Sequence, residues 1–213
     1  MRTTKTWTLQ SGGNDQHDIN DQLEELSLCF QRAGDLTSDM ASKLPNWFSS
    51  KEGLTGESPA VFGAGGMALR QAGESLAEEK KDVGNATRNW LAVCLGNLAG
   101  DLANAACQFE PIGIGDDLER ACDCLEGMLK AASTGEDGDA FKLDAGTALQ
   151  TSGDSFRDYG ILLCAEDKAS SSEDSAGRIL SRAGEQLHQA GDILISIPWL
   201  ALEQALSCSS GQD

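Results

Sequence analysis

Few residues in this chain have the types and spacing of a chemical site. The stretch Glu185-Gln186-Leu187-His188 is an E-x-x-H motif, the spacing with which di-iron helical bundles present metal ligands. Such a centre needs a second motif of this kind, and the only other histidine, His17, has no acid three residues before it. The seven-residue spacing of glycines in this region also places Leu187 on a buried helix face and Glu185 on a solvated one. We therefore predict no metal site and no cofactor at this motif.

The stretch Gly63 to Ala68 matches G-x-G-x-x-A, in which glycines let a backbone approach a pyrophosphate at the start of a helix. Such a turn follows a strand, and residues 59–62 have poor strand character because they begin with proline. No clear second strand with a ribose-binding acid follows. A nucleotide-binding enzyme that uses Gly63 to Ala68 is therefore a minor alternative.

Seven cysteines and two histidines offer no convincing Cys-His or His-centred arrangement, so we expect the protein not to be an enzyme. Cys122 and Cys124 are two residues apart, which on a helix turns their side chains about 200° from each other. An odd number of cysteines, several within apolar helical runs, indicates small core residues rather than a disulfide framework. We expect a reducing intracellular compartment, either the cytoplasm or the interior of an organelle.

The overall charge limits the class of partner. The 213 residues include 16 Lys and Arg against 34 Asp and Glu, which gives a formal net charge of -18. Nucleic acids and anionic membranes reward basic surfaces, so we expect neither as a partner. No apolar run reaches the roughly 18 residues of a membrane-spanning helix.

Helix start and stop signals organise most of the chain. We predict an extended N-terminal arm over residues 1–15, a single helical domain over 16–207 with a possible subdivision near 110–115, and a polar tail over 208–213. Whether residues 59–109 form one helix or two stays open. The predicted helical regions are about 18–43, 59–109, 116–133, 139–165, 174–196 and a short last one from Pro198 to near Ser207.

Glycines recur every seven residues within the predicted helices, and leucine or phenylalanine follows each of them by three residues. Glycine then occupies position a and the large apolar residue position d of a heptad. Each glycine inside a helix costs about 0.8–1 kcal/mol relative to alanine, so this placement requires compensating packing. We predict a glycine seam, along which two helix backbones approach more closely than usual. Its residues are Gly66, Gly73, Gly146, Gly153, Gly160, Gly177, Gly184 and Gly191.

The last two long helices match each other at an offset of 31 residues, which indicates an internal helical repeat. The phrase Ala-Gly-acid recurs more loosely at residues 33–35, 72–74 and 99–101. Position c of the two helices is also apolar, at Ala148, Leu162, Ile179 and Ile193. A helix with two apolar sides is either central in a bundle or faces a partner.

These patterns predict an all-α, antiparallel helical bundle with internal repeats and a Gly/Ala seam. We expect a non-enzymatic structural or linker subunit that packs through its helices into a larger protein assembly. The alternative is a helical binding module for an apolar ligand such as a lipid or pigment. The candidate partner surface consists of Trp7, Ile193, Ile197, Trp199 and Leu200.

Overall fold

The computed structural model describes residues 14–44, 58–77, 90–166 and 175–207. These residues form seven α-helices and one short 3-10 helix, and they include no strand. The helices are α1 (Asn14–Lys43), α2 (Ser58–Ala77), α3 (Trp90–Phe109), α4 (Asp116–Thr134), α5 (Asp139–Glu166), α6 (Ala176–Ser196) and α7 (Trp199–Ser207), with the 3-10 helix Glu110–Ile112 following α3.

The predicted all-α class is confirmed, and the predicted helix bounds agree closely where the chain is described. α1 ends at Lys43, as expected from Pro45 just beyond it. The region predicted as residues 59–109 contains two described helices, α2 and α3, and residues 78–89 between them lie outside the described part. Residues 14 and 15 of the predicted arm belong to α1, whereas the rest of the arm, with Trp7, and the predicted tail at 208–213 lie outside the described part. The domain bounds stay a prediction.

Two glycines end helical segments through their conformational freedom. Gly113 (φ 73°) follows the 3-10 helix, and Gly135 (φ 71°) follows α4 and donates its N–H to the last carbonyls of that helix. A left-handed residue at this place is a common helix C-cap, and it favours glycine. Among the described residues no other glycine has a positive φ. The glycines inside helices therefore need an explanation other than backbone freedom.

The six long helices contact one another in a closed cycle. Each helix packs against the next along the chain from α1 to α6, and α6 packs back against α1. The short α7 touches α1, α3 and α4. Every long helix thus has two main neighbours, which explains why several of them need two apolar sides.

Aromatic side chains from three helices meet at the centre of this cycle. The ring of Phe62 in α2 lies 6.1 Å from that of Phe109 in α3 and 5.9 Å from that of Tyr159 in α5. Phe109 also packs edge-on against Phe156, with ring centroids 5.0 Å apart. Because the three phenylalanines are fully buried, they fill the space that a cycle of six helices would otherwise leave open.

A buried lysine joins the start of α5 to the end of α6. The ammonium group of Lys142 donates to the carbonyl oxygens of Ile195 (3.2 Å) and Ile197 (2.5 Å), and it pairs with Asp139 at 3.1 Å. The last carbonyls of a helix have no partner within the helix, so a cation here satisfies them and complements the helix dipole. Lys142 holds the α5–α6 pair in register at that end.

Candidate functional site

The glycines of α5 and α6 face one another in three pairs, which are Gly146 with Gly191, Gly153 with Gly184, and Gly160 with Gly177. The pairs run in opposite order along the two helices. A Cβ atom at Gly153 would lie 2.5 Å from the carbonyl oxygen of Gly184, and one at Gly146 would lie 2.9 Å from that of Gly191. Carbon and oxygen atoms do not approach so closely in unstrained structures, so only glycine fits this backbone separation.

The same arrangement joins α1 and α2. A Cβ atom at Gly73 would lie 2.5 Å from the carbonyl oxygen of Ser27, and one at Gly66 would lie 2.8 Å from that of Gly34. Ser27 is a seam position without glycine, and its hydroxyl donates to the carbonyl oxygen of Gly73 at 2.7 Å. Sequence reasoning found Gly66 and Gly73 but not their partners. The available signal was the seven-residue spacing from Ser27 to Gly34, because serine is also small.

The third occurrence of the Ala-Gly-acid phrase does not form such a contact. A Cβ atom at Gly100 in α3 would meet no atom within 4 Å, and one at Gly96 would meet only a Leu129 methyl group at 4.0 Å. The phrase alone therefore does not identify a seam; the heptad spacing of two or more small residues does.

The second apolar strip of α6 lies in the protein's own core. Ile179 and Ile193 are 2% and 8% exposed, and α6 packs against α1 as well as α5. In α5, Ala148 is buried but Leu162 is 63% exposed. Of the two explanations left open by the sequence, a central position explains the strip of α6, whereas the end of α5 still presents an apolar side chain to solvent.

The candidate partner surface at the C-terminus is corrected by these positions. Ile193 is buried and Ile197 is fully buried, since both pack inside the helical cycle, so neither side chain faces a partner. Trp199 is half-buried, and its ring packs against the backbone at Gly138. Leu200 alone of the described members is exposed, at 65%. Trp7 lies outside the described residues.

Two adjacent residues near the end of α5 form a small outward apolar surface. Ile161 and Leu162 are 56% and 63% exposed, whereas the next residue, Leu163, is buried at its heptad position d. The sequence contains a signal for this surface, because three consecutive large apolar residues in a helix cannot all face one seam. Met67 in α2 is a further exposed apolar side chain.

The E-x-x-H motif occurs on α6, and its histidine faces α5. Nδ1 of His188 lies 3.3 Å from Oδ1 of Asp154, which also pairs with Nη2 of Arg157 at 2.8 Å. The acid of the motif itself, Glu185, is exposed. Within the described ranges, no group of three or more His, Cys, Asp or Glu side chains is arranged to hold a metal ion. The arrangement is a polar contact beside the glycine seam.

The nucleotide hypothesis fails on local structure, because residues 63–68 lie inside α2 and form no turn. Gly66 faces α1, and a Cβ atom at Gly65 would overlap the ring of Phe109. A dinucleotide-binding turn needs glycines outside the helix and backbone N–H groups free to bind phosphate. Here the same residue types serve helix packing.

The buried cysteines are poorly suited to nucleophilic or metal chemistry. Burial, with a smaller contribution from nearby acids, raises the pKa of the Cys29 and Cys122 thiols to about 11. The pKa of Cys124 is also raised, mainly by burial. The thiolate is the reactive form, so a raised pKa makes these thiols less reactive at neutral pH than an ordinary cysteine. This agrees with their interpretation as small core residues.

Comparisons with known proteins find no match, so any function has to be inferred from the geometry of the site. The sequence matches no protein-family model, and no similar curated protein or solved structure is found. In the described part of the chain, no helix has both the length and the apolar character needed to cross a membrane.

Proposed function

We propose that this chain is a non-enzymatic structural subunit, an antiparallel helical bundle that packs into a larger protein assembly. The observation that carries this proposal is the adjacent exposed pair Ile161 and Leu162 on α5. Large apolar side chains exposed next to each other are costly in water and become favourable when a partner covers them. The internal repeats and the seams provide a rigid support for such a contact.

The filled interior supports a structural subunit more than a carrier of apolar ligands. A carrier needs an apolar cavity between splayed helices, whereas α5 and α6 are in backbone contact and the centre is filled by Phe62, Phe109 and Phe156. A surface groove between α1 and α6 is lined mainly by charged side chains, among them Arg32, Asp35 and Glu185. No observation in the described residues favours the apolar-ligand alternative.

Site-specific photocrosslinking tests the proposal directly. Benzoylphenylalanine replaces Leu162 in one protein and, in a control, the exposed Lys130 on α4, which packs near the other end of α5. Each protein is irradiated in an extract of its natural source, and the products are identified by mass spectrometry. The proposal predicts a crosslink from position 162 to one defined protein and little product from position 130. Equal or no product at the two positions would contradict it.

A further inference from the structure

The outward sides of α2 and α3 form a surface that carries very little charge. Each helix has 20 residues, and the charged ones among them are Arg70, Glu74 and Asp101. All three have partners within the chain. Arg70 pairs with Glu74 at 2.9 Å and with Asp35 at 3.3 Å, and Asp101 accepts a hydrogen bond from Ser75 at 2.7 Å. In a protein with 34 Asp and Glu, this lack of charge distinguishes one face from the others.

The other residues exposed on this surface are apolar or neutral. Met67 is 65% exposed and Val93 is 46% exposed, and Gln71, Asn97 and Asn104 are exposed as well. Because α2 packs against α3 in the helical cycle and each helix has one outward side, these side chains belong to one surface. Large apolar side chains in water become favourable when a partner covers them.

The distribution of charge favours a second copy of this chain as that partner. Two copies that meet through any other long helix bring exposed acids together, and like charges in contact oppose association. Examples of these acids are Glu25 on α1, Glu119 on α4, Asp158 on α5 and Asp192 on α6. Contact through α2 and α3 avoids this repulsion at the interface itself.

The surface is also large enough for a weak dimer. A helix of 20 residues is about 30 Å long, and two helices packed side by side are about 20 Å wide. A second copy would therefore cover about 600 Å² on each side, or about 1,200 Å² in total, which is the lower limit for a specific interface. An interface of this size is typical of reversible association.

We propose that two copies of this chain associate reversibly through the α2–α3 surface about a two-fold axis. A two-fold axis places the same surface of both copies in contact, and it is the commonest symmetry of homo-oligomers. Met67 and Val93 are then covered by the partner copy. This inference does not depend on the proposed function, which concerns Ile161 and Leu162 on α5.

Sedimentation velocity of the purified full-length chain tests the association. The protein is studied from about 5 to about 500 µM, because an interface of this size binds at micromolar strength or more weakly. We expect a monomer at the lowest concentration and a shift to twice the mass as the concentration rises. Raising the salt from about 20 to about 300 mM is expected to strengthen association about threefold or more, because salt screens the repulsion between two chains of charge -18.

Two double variants with the same change in net charge locate the interface. Asn97→Asp with Asn104→Asp adds two carboxylates per copy to the surface at almost constant side-chain volume, and we expect association to weaken about tenfold or more. The control, Arg178→Gln with Gln204→Glu, also makes the chain more negative by two charges, but at exposed positions of α6 and α7. Its long-range effect is screened by salt, so we expect a change of less than about threefold. Circular dichroism checks that each variant folds.

Photocrosslinking identifies the contact without adding charge. Benzoylphenylalanine replaces Met67, and equal amounts of unlabelled and ¹⁵N-labelled protein are mixed before irradiation. Crosslinked peptides of mixed isotope then come from two different copies. We expect them to join α2 of one copy to α2 or α3 of the other, whereas benzoylphenylalanine at the exposed Arg178 gives little such product.

Four results would overturn the proposal. They are a monomer throughout the concentration range at both salt concentrations, association that weakens as salt is raised, equal weakening by the two double variants, and mixed-isotope products that join α2 to helices other than α2 and α3. The second of these would indicate an interface built on ion pairs.

Discussion

Gly153 and Gly184 face each other across α5 and α6 so closely that a Cβ atom on either would overlap the carbonyl oxygen of the other. Their contact is the middle of three such pairs, and Gly66 and Gly73 make equivalent contacts with α1. Gly153 and Gly184 lie inside regular helices, where each glycine costs about 0.8–1 kcal/mol relative to alanine. Close packing of the two backbones provides the compensating attraction.

Substitutions of Ser27 test the seam between α1 and α2, where a serine occupies a position that glycine occupies elsewhere in the seams. Ser27→Ala removes the 2.7 Å hydrogen bond to the carbonyl oxygen of Gly73 and is expected to lower the free energy of unfolding by about 1 kcal/mol. Ser27→Val adds bulk against the Gly73 backbone, and we expect a larger loss, about 1–3 kcal/mol. Urea unfolding followed by circular dichroism measures both, and a smaller loss for valine than for alanine would contradict the close packing.

Substitution of Lys142 tests whether its ammonium group caps the C-terminal end of α6. Lys142→Met keeps the length of the side chain but leaves the carbonyl oxygens of Ile195 and Ile197 without this donor, and we expect a loss of about 1–3 kcal/mol. The control Lys130→Met, at an exposed position of α4, is expected to change stability by less than about 0.5 kcal/mol. Thermal unfolding of both variants at one pH is the measurement. Equal effects would show that the buried lysine is not a cap.

The raised thiol pKa values predict a loss of stability in alkali. Cys29 and Cys122 have pKa values of about 11 in the folded protein against an ordinary value of 9.0. Above pH 9 the unfolded state loses thiol protons that the folded state keeps, so stability is full below that pH and falls as the pH rises toward 11. Urea unfolding at a series of pH values measures the fall. The double substitution Cys29→Ala with Cys122→Ala should flatten it, and an unchanged pH dependence would contradict the assignment.

Much of the fold could be predicted from sequence because its signals are local. Pro45, Pro111 and the seven-residue glycine spacing lie within one helix or next to it, so they indicate helix ends and the buried face directly. Lys142 illustrates a signal that was present but not used. It lies four residues before Gly146, at heptad position d, where a large apolar residue is expected. A lysine there indicates a buried cation with carbonyl partners.

Other features depend on contacts between distant segments, which one sequence does not reveal. Ile193 and Ile197 have the composition of a partner surface, but their burial depends on how α6 and the chain after it pack within the helical cycle. The groove between α1 and α6 combines residues about 150 positions apart, and no local spacing connects Arg32 with Arg182. Residues 63–68 match both a loop motif and a helix seam, and the contacts of Gly65 with Phe109 and of Gly66 with α1 show that these glycines serve helix packing.

The comparison of Gly184→Ala with Gly100→Ala tests the close-packed seam most directly. Both change the interior of a helix, and both gain about 0.8–1 kcal/mol of helix propensity. At Gly100 a Cβ atom meets nothing within 4 Å, so we expect a stabilisation close to that gain. At Gly184 the new methyl group meets the Gly153 backbone, and we expect a net loss of about 1–3 kcal/mol in urea unfolding, with a larger loss for Gly184→Leu. If Gly184→Ala stabilises the protein as much as Gly100→Ala does, the helices are not in backbone contact and the account is wrong.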